Sequence, residues 1–282
     1  MTRTSLKIAG LTSAAAMLAG LAAVPAAAQT EGSWTGPYFG GRIGYGVNPG
    51  GDGAETVEFD TGLDGTFGDT VRTGAGADAF STGFCGGGAA GPRNNGCTGD
   101  RDGVEWAVHA GYDYQLGSNF VVGLVGEYGR STVRDRVTAF STTPASYTLE
   151  RRLRDNAAIR ARAGFTFADT LVYGTGGGAW GKIRNRFTTT NGANAFTNNG
   201  NDNAYGYQYG GGLEHRVSDG FSIGVQYLRT SLKDDDFRVR TARGTAPATN
   251  PFILVNPNGT DFRRSGDRFN TESLHVTASF RL

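Results

Sequence analysis

Hydrophobic and polar residues alternate with a period of two along most of the chain beyond residue 29. In residues 104–116, for example, Val104, Trp106 and Val108 share one face, whereas Glu105, Ala107 and His109 share the other. This alternation is typical of β-strands that bury one face, and no segment shows the 3.6-residue repeat of an amphipathic helix. Eight strands are predicted, at residues 37–47, 104–116, 120–129, 159–167, 171–183, 205–217, 221–227 and 273–282.

The connections between these strands alternate in length. Turns of about three residues follow Leu116, Phe167 and Val217, whereas the other connections span roughly 48–103, 131–150, 184–204 and 233–268. Outer-membrane barrels have short periplasmic turns and longer extracellular loops. Because lipid offers the backbone no hydrogen-bond partner, a sheet that crosses a membrane must close on itself. We therefore predict an all-β fold, an eight-stranded antiparallel up-and-down transmembrane β-barrel.

Aromatic residues near the strand ends are predicted to form the belts that meet the two membrane interfaces. These residues are Tyr38, Phe120, Phe167, Tyr205 and Phe221.

Composition and the N-terminal segment narrow the class of protein. The chain has 46 glycines in 282 residues and nearly balanced charge, 27 basic against 26 acidic residues, which gives no field for nucleic acid. Arg3 and Lys7 precede an apolar stretch that ends at Pro25 and Ala26-Ala27-Ala28. This pattern predicts a cleaved Sec-type signal peptide over residues 1–28, with an N-terminal membrane anchor as the alternative. Residues 29–282 would then form the barrel domain in the bacterial outer membrane.

Several motifs resemble those of a known family. They are Trp34-Thr35-Gly36-Pro37-Tyr38-Phe39-Gly40-Gly41, Val172-Tyr173-Gly174-Thr175-Gly176-Gly177, Val225-Gln226-Tyr227-Leu228 before Asp234-Asp235-Asp236, and Val276-Thr277-Ala278-Ser279-Phe280-Arg281-Leu282. Together they are similar to the alphaproteobacterial Omp25/Omp31-like (porin-like) eight-stranded outer-membrane β-barrel surface proteins. The resemblance implies a surface antigen, and it implies periplasmic chaperones and the barrel-assembly machinery as partners during biogenesis. Members usually end in an aromatic residue, whereas this chain ends in Leu282.

The inward face of the predicted barrel carries charges of both signs. An eight-stranded barrel is just wide enough for side chains to fill, so these charges are expected to pair in a polar core. The alternative is a thin water-filled pore. The expected network comprises Arg42, Glu105, His109, Asp113, Glu127, Arg160, Arg162, Glu214, Arg216, His275 and Arg281.

Two features of the long connections suggest specific contacts. Cys85 and Cys97 both lie in the first connection, and export to an oxidising compartment predicts a disulfide between them. Basic residues gather where strands leave the outer leaflet, and part of this set is predicted to pair with lipopolysaccharide phosphates. The candidates are Arg151, Arg152, Arg154, Arg184 and Arg186. Loop three, residues 188–203, is rich in Asn, Thr and Gly and is expected to be mobile.

No catalytic, cofactor or metal site is expected. Gly176-Gly177-Gly178-Ala179-Trp180-Gly181 matches a dinucleotide-binding pattern, but strand residues follow it instead of a helix. The three histidines lack a clear serine and acid for hydrolysis, although some eight-stranded barrels are lipid A-modifying enzymes. We therefore expect a structural, surface-exposed protein that contacts outer-membrane lipid and lipopolysaccharide. The alternatives are a narrow porin for small solutes and a loop-borne adhesin or receptor for a host or environmental ligand.

Overall fold

The computed structural model describes residues 33–49, 55–100, 102–200 and 202–282. The predicted signal peptide therefore lies outside the described residues. The strands, in chain order, are β1 (Gly36–Val47), β2 (Val57–Asp60), β3 (Phe84–Gly86), β4 (Gly88–Ala89), β5 (Cys97–Thr98), β6 (Gly103–Leu116), β7 (Phe120–Ser131), β8 (Arg134–Ser141), β9 (Ala145–Phe167), β10 (Thr170–Thr189), β11 (Ala195–Asn198), β12 (Asp202–Ser218), β13 (Phe221–Lys233), β14 (Val239–Ala242), β15 (Thr260–Arg264) and β16 (Arg268–Arg281). A 3₁₀ turn, Pro251–Ile253, lies between β14 and β15.

Eight of these strands form a closed antiparallel barrel, which confirms the predicted fold. Each strand pairs with its neighbours in the order β1, β6, β7, β9, β10, β12, β13 and β16, and β16 pairs again with β1. In the closing pair Phe39 lies opposite Phe280, and Tyr45 lies opposite Leu274. Both edges of each of the eight strands are thus paired with a neighbour, as lipid requires.

The two faces of the barrel wall differ in chemistry. Apolar side chains point outwards and are exposed to the membrane, as for Ile159, which is 66% exposed, and for Ile43 and Val276. The inward positions carry most of the charged and hydroxyl side chains, and these are buried. Tyr38 was predicted in an aromatic belt, but the structure buries it inside the barrel, because it alternates with the outward-facing Phe39. No helix in the described residues is long and apolar enough to span a membrane.

Several barrel strands continue well beyond the membrane on the extracellular side. β9 has 23 residues and β10 has 20, so they take up much of the two connections predicted around them. A separate sheet with the order β11, β14, β15, β2 stands beside these extensions. We call the cap this four-stranded sheet together with β8, the outer ends of β9 and β10, and the connections that pack against them.

The cap has its own aromatic core. Phe59, Phe80, Tyr147, Phe252 and Phe262 are buried together, with ring centroids 4.4–6.3 Å apart. Loop three was expected to be mobile because of its composition. The structure instead places β11 in it, paired with β14, and packs Phe196 against Tyr147. The burial of these few aromatic side chains stabilises the cap even though the loops around them are rich in polar residues.

The predicted disulfide between Cys85 and Cys97 is present. It ties together the finger, by which we mean residues 84–100 with strands β3, β4 and β5. β3 extends the sheet beyond β8, and the Gly87 amide donates to the Arg136 carbonyl at 2.7 Å. The finger is thus attached to the outer end of the barrel wall.

Candidate functional site

The inner charges predicted from the sequence lie together inside the barrel, arranged in layers along its axis. The layer nearest the periplasmic turns is built around Arg162. Its Nε donates to Asp113 at 2.7 Å and its Nη1 to Glu214 at 3.0 Å. Arg281 completes the layer with a 2.8 Å ion pair to Asp113. Each buried carboxylate in this layer therefore has a guanidinium partner, which burial demands.

Trp34 closes the periplasmic end beneath this layer. Its indole is buried, and the guanidinium carbons of Arg216 and Arg281 lie 4.7 and 5.2 Å from its ring centroid. Arg281 also donates to the Trp34 carbonyl oxygen at 2.5 Å. Trp34, two residues before β1, thus lies inside the barrel and blocks this end of it.

The second ionic layer is built around Glu127. Its carboxylate accepts from Arg42 and from Arg160, each at 2.8 Å. Arg42 also contacts His275, and the Nε2 atom of His275 lies 3.2 Å from Glu105. His109 lies apart from this chain of contacts and bonds to Ser279 at 3.0 Å. A cavity of about 20 Å³, lined in part by His109, Glu127 and Arg162, separates the two layers and has room for roughly one water.

An apolar layer fills the barrel above the ionic layers. It consists of side chains that point inwards from six segments and are at most 2% exposed, namely Val133, Leu153, Ile183, Ala204, Leu232 and Phe269. We call it the apolar layer.

A third ionic layer lies between the apolar layer and the cap. Arg151 is 1% exposed, and it donates to Asp135 at 2.5 Å and to Glu55 at 2.8 Å. Arg264 pairs with the same two carboxylates, at 2.7 Å to Asp135. Burial favours a raised pKa for Asp135, but Arg264 and Arg151 hold its pKa below the usual range.

Arg151 was predicted to contact lipopolysaccharide, and the structure corrects this. A buried side chain with two carboxylate partners is not accessible to a lipid headgroup. The remaining candidates, Arg152, Arg154, Arg184 and Arg186, are half-buried or exposed on the outer surface of β9 and β10. They lie beyond the outward-facing aromatic residues at the extracellular end of the barrel, which include Tyr45, Trp106, Tyr128 and Trp180.

The sequence reasoning missed the apolar layer, the third ionic layer and the aromatic core of the cap. One signal was available, because Tyr147, Leu149, Arg151 and Leu153 continue the period-two alternation into a segment assigned to a loop. Glu55, Asp135 and Arg264 come from three separate connections, so only the folded cap brings them together.

The comparison with protein families decides the identity of the fold. Residues 14–246 match the family model described as the outer membrane protein beta-barrel domain. The chain belongs to this family. The resemblance noted from the sequence motifs is confirmed, and so is the localisation in the bacterial outer membrane.

Two curated relatives are outer-membrane immunogenic proteins of Brucella. A "31 kDa outer-membrane immunogenic protein" from Brucella melitensis is 27% identical over 201 residues, which cover 71% of this chain and 72% of the relative. The protein of the same name from Brucella suis matches with the same identity and coverage. This chain is thus a relative of outer-membrane immunogenic proteins.

Among solved structures, the outer membrane protein OprG from Pseudomonas aeruginosa has 10% sequence identity and a TM-score of 0.46, covering 90% of this chain and all of OprG. The outer membrane protease OmpT from Escherichia coli has 9% identity and a TM-score of 0.38, covering 90% of this chain and 99% of OmpT.

Proposed function

We propose that this protein is a sealed structural component of the outer membrane that presents a folded cap at the cell surface and contacts lipopolysaccharide. The observation that carries the proposal is the apolar layer. Phe269, Leu232 and Leu153 pack together inside the barrel, and stripping an ion of water among such side chains is very unfavourable. A barrel closed in this way supports the membrane and its surface instead of transporting solutes.

The narrow-porin alternative finds less support in the interior. A pore needs charged groups that face water, whereas Glu127, Asp113 and Asp135 each accept from two guanidinium groups. Trp34 and the cap add further obstacles at the two ends. Six successive levels would have to move for a solute to pass.

A catalytic role also finds little support. Glu105 lies beside His275 and bonds to Ser273, so an acid, a histidine and a serine do meet. However, the glutamate stands between the other two, whereas a hydrolase needs the histidine to contact the serine. All three side chains are buried, so a substrate would not reach them. We therefore infer a non-enzymatic protein.

The contact with lipopolysaccharide is supported by the outward-facing cations. Arg152, Arg154, Arg184 and Arg186 project from β9 and β10 on the extracellular side of the membrane, where lipopolysaccharide carries its phosphates. A guanidinium group binds phosphate through two parallel hydrogen bonds, which makes arginine well suited to this contact.

The proposal can be tested in cells that lack the protein. If it supports the envelope, its loss should increase the uptake of a hydrophobic dye such as N-phenyl-1-naphthylamine, and the wild-type gene should reverse the effect. A gene with Arg152, Arg154, Arg184 and Arg186 replaced by Gln should reverse it only in part. The matched control replaces four other exposed or half-buried arginines, Arg130, Arg229, Arg238 and Arg268, and should complement fully.

A porin would give a different result. Its loss would slow the uptake of a small hydrophilic solute and leave the uptake of the dye unchanged. That result would contradict the proposal.

A further inference from the structure

Three arginines lie in a row across neighbouring strands on the outer surface. The register places Arg134 of β8 directly opposite Arg152 of β9, and Arg152 directly opposite Arg184 of β10. Directly opposed residues on one face of a sheet have Cβ atoms about 4.5–5.5 Å apart. We call these three residues the arginine row.

The arginine row is a poor arrangement for the protein alone. Like charges directly opposite each other destabilise a sheet. None of the three residues forms an ion pair with a carboxylate in the part of the chain that the structure describes. The next outward-facing positions on the same strands are Arg136, Glu150 and Arg186, where an acidic residue separates two arginines. At those positions Glu150 lies between the two arginines, whereas in the arginine row the central residue is itself an arginine.

The central residue of the row has unused capacity for hydrogen bonds. Arg152 is half-buried, and its Nε atom is buried with no hydrogen-bond partner. Burial and the nearby charges of Arg134, Arg154 and Arg184 lower the pKa of the Arg152 guanidinium, although the charge of Glu150 opposes the shift. An anion at the centre of the row would offset the repulsion between the three guanidinium groups.

The height of the row above the membrane indicates the source of that anion. On β10 the outward-facing residues run from Trp180 through Lys182 to Arg184. Trp180 marks the membrane interface, and four residues of a tilted strand place Arg184 roughly 10 Å beyond it. The phosphorylated sugars of lipopolysaccharide lie at this level of the outer leaflet, beyond the acyl chains.

We propose that Arg134, Arg152 and Arg184 form a binding site for one phosphate group on the lipid A or inner-core sugars of a lipopolysaccharide molecule. This site rests on the proposed function and makes it specific: one place on the barrel surface, on the side formed by β8, β9 and β10. It accounts for an arrangement of charge that is unfavourable without a ligand.

The first test measures binding. The mature protein is refolded in detergent without lipopolysaccharide, and purified deep-rough lipopolysaccharide is added and counted by native mass spectrometry. R152Q/R184Q should bind about tenfold more weakly than the wild type, because two charge-assisted contacts are lost. The matched control R229Q/R268Q removes two outward-facing arginines from β13 and β16, across the barrel from β9, and should change binding less than about threefold. Equal binding by R152Q/R184Q and the wild type would overturn the proposal.

The chemistry of the ligand is tested with dephosphorylated lipopolysaccharide. It should bind to the wild type about as weakly as intact lipopolysaccharide binds to R152Q/R184Q, and the two losses should not add. If dephosphorylation weakens both proteins by the same factor, the row does not bind phosphate. Inorganic phosphate forms a separate arm: displacement of lipopolysaccharide by millimolar phosphate would identify a site for free phosphate and overturn the lipid assignment.

The second test compares the melting temperatures of R152Q and the wild type with and without lipopolysaccharide. The difference between the two proteins should change sign when lipopolysaccharide is added. Without lipopolysaccharide, R152Q should melt at a slightly higher temperature than the wild type, because it relieves repulsion within the row. With saturating lipopolysaccharide, R152Q should melt at a lower temperature than the wild type. A change of the same sign in both conditions would contradict the site. If the wild type binds no lipopolysaccharide at all, the proposed function itself fails. If the wild type binds lipopolysaccharide and the variants bind and melt as it does, this site alone fails.

Discussion

At the scale of single residues, the buried guanidinium groups hold the interior together. Arg162 bonds to two carboxylates and also lies over the rings of Tyr38 and Tyr173, with its guanidinium carbon 4.6 and 5.0 Å from their centroids. Replacing it would leave Glu214 without its only ion-pair partner in the described residues. The result depends on burial, because water would hydrate the same carboxylate at the surface.

Arg162→Gln should therefore lower the free energy of unfolding by about 3–5 kcal/mol. The control is Arg130→Gln, which removes a pair with Asp155 from a side chain that is 53% exposed and should change stability by about 0–1 kcal/mol. Urea unfolding in detergent micelles, followed by tryptophan fluorescence, measures both. Similar losses in the two variants would show that the interior network contributes no more than a surface pair.

A second prediction at this scale concerns pH and the finger. Burial, and then the negative charge of Asp135, raise the pKa of Asp100 from 3.8 to about 7, although Arg136 and Arg264 oppose the shift. One Asp100 oxygen accepts from the Arg136 amide at 2.8 Å, and this bond helps to attach the finger to β8. A carboxyl group with a higher pKa in the attached state binds its proton more tightly there. Attachment should therefore be strongest near pH 4, weaken as pH rises towards 7, and stay constant above that.

Hydrogen exchange of the Gly87 and Arg136 amides, corrected for intrinsic rates, measures this effect. Protection should fall by a few-fold between pH 5 and pH 8 in the wild type. Asp100→Asn, which mimics the protonated group, should abolish the dependence. An unchanged pH dependence in the variant would show that another group is responsible.

At the scale of the strand, two adjacent glycines on β10 face opposite sides of the wall. A Cβ atom added to Gly177, which faces inwards, would lie 2.0 Å from the Ile159 carbonyl oxygen, whereas one added to Gly178 would meet nothing within 4 Å. Gly177→Ala should therefore force β9 and β10 apart and destabilise the barrel by about 2 kcal/mol or more. Gly178→Ala should be neutral. Folding yield and the heat-modifiable shift on gels compare the two, and equal behaviour would contradict the register of this pair.

Much of the barrel could be predicted from the sequence because a membrane strand faces two different environments. Residues 159–167 alternate without interruption between lipid and lumen, so the sequence predicts which of their side chains face lipid. The short turns on the periplasmic side predict which strands are adjacent. The position of Arg152 could not be read in this way. A bulge near residues 154 and 155 of β9 reverses the phase, and without it Arg152 would point inwards and Arg151 outwards. Such a bulge leaves no clear mark in a single sequence.

The cap was missed for a different reason. Its aromatic residues come from short segments far apart in the chain, such as Phe80, Tyr147 and Phe262. Each segment is too short for a reliable pattern, and the composition around it is typical of loops. Only the joint burial of these residues makes the extracellular part a packed structure.

At the scale of the whole molecule, the protein is a column of alternating layers. Trp34, two ionic layers, the apolar layer, a third ionic layer and the aromatic cap core follow one another from the periplasmic turns to the cell surface. The ionic layers pair their buried carboxylates with guanidinium groups, and we propose that the apolar layer excludes water between them. The lipid-facing surface and the arginines at its outer edge are left for contact with the membrane.

Single-channel recording in planar bilayers tests this account most directly. Refolded mature protein, whose insertion is established by the heat-modifiable shift of protein recovered from the same lipid, should give a flat baseline at up to about 100 mV. Reproducible unit steps of conductance, which scale with salt concentration, would show a continuous aqueous path through the apolar layer and contradict the sealed barrel.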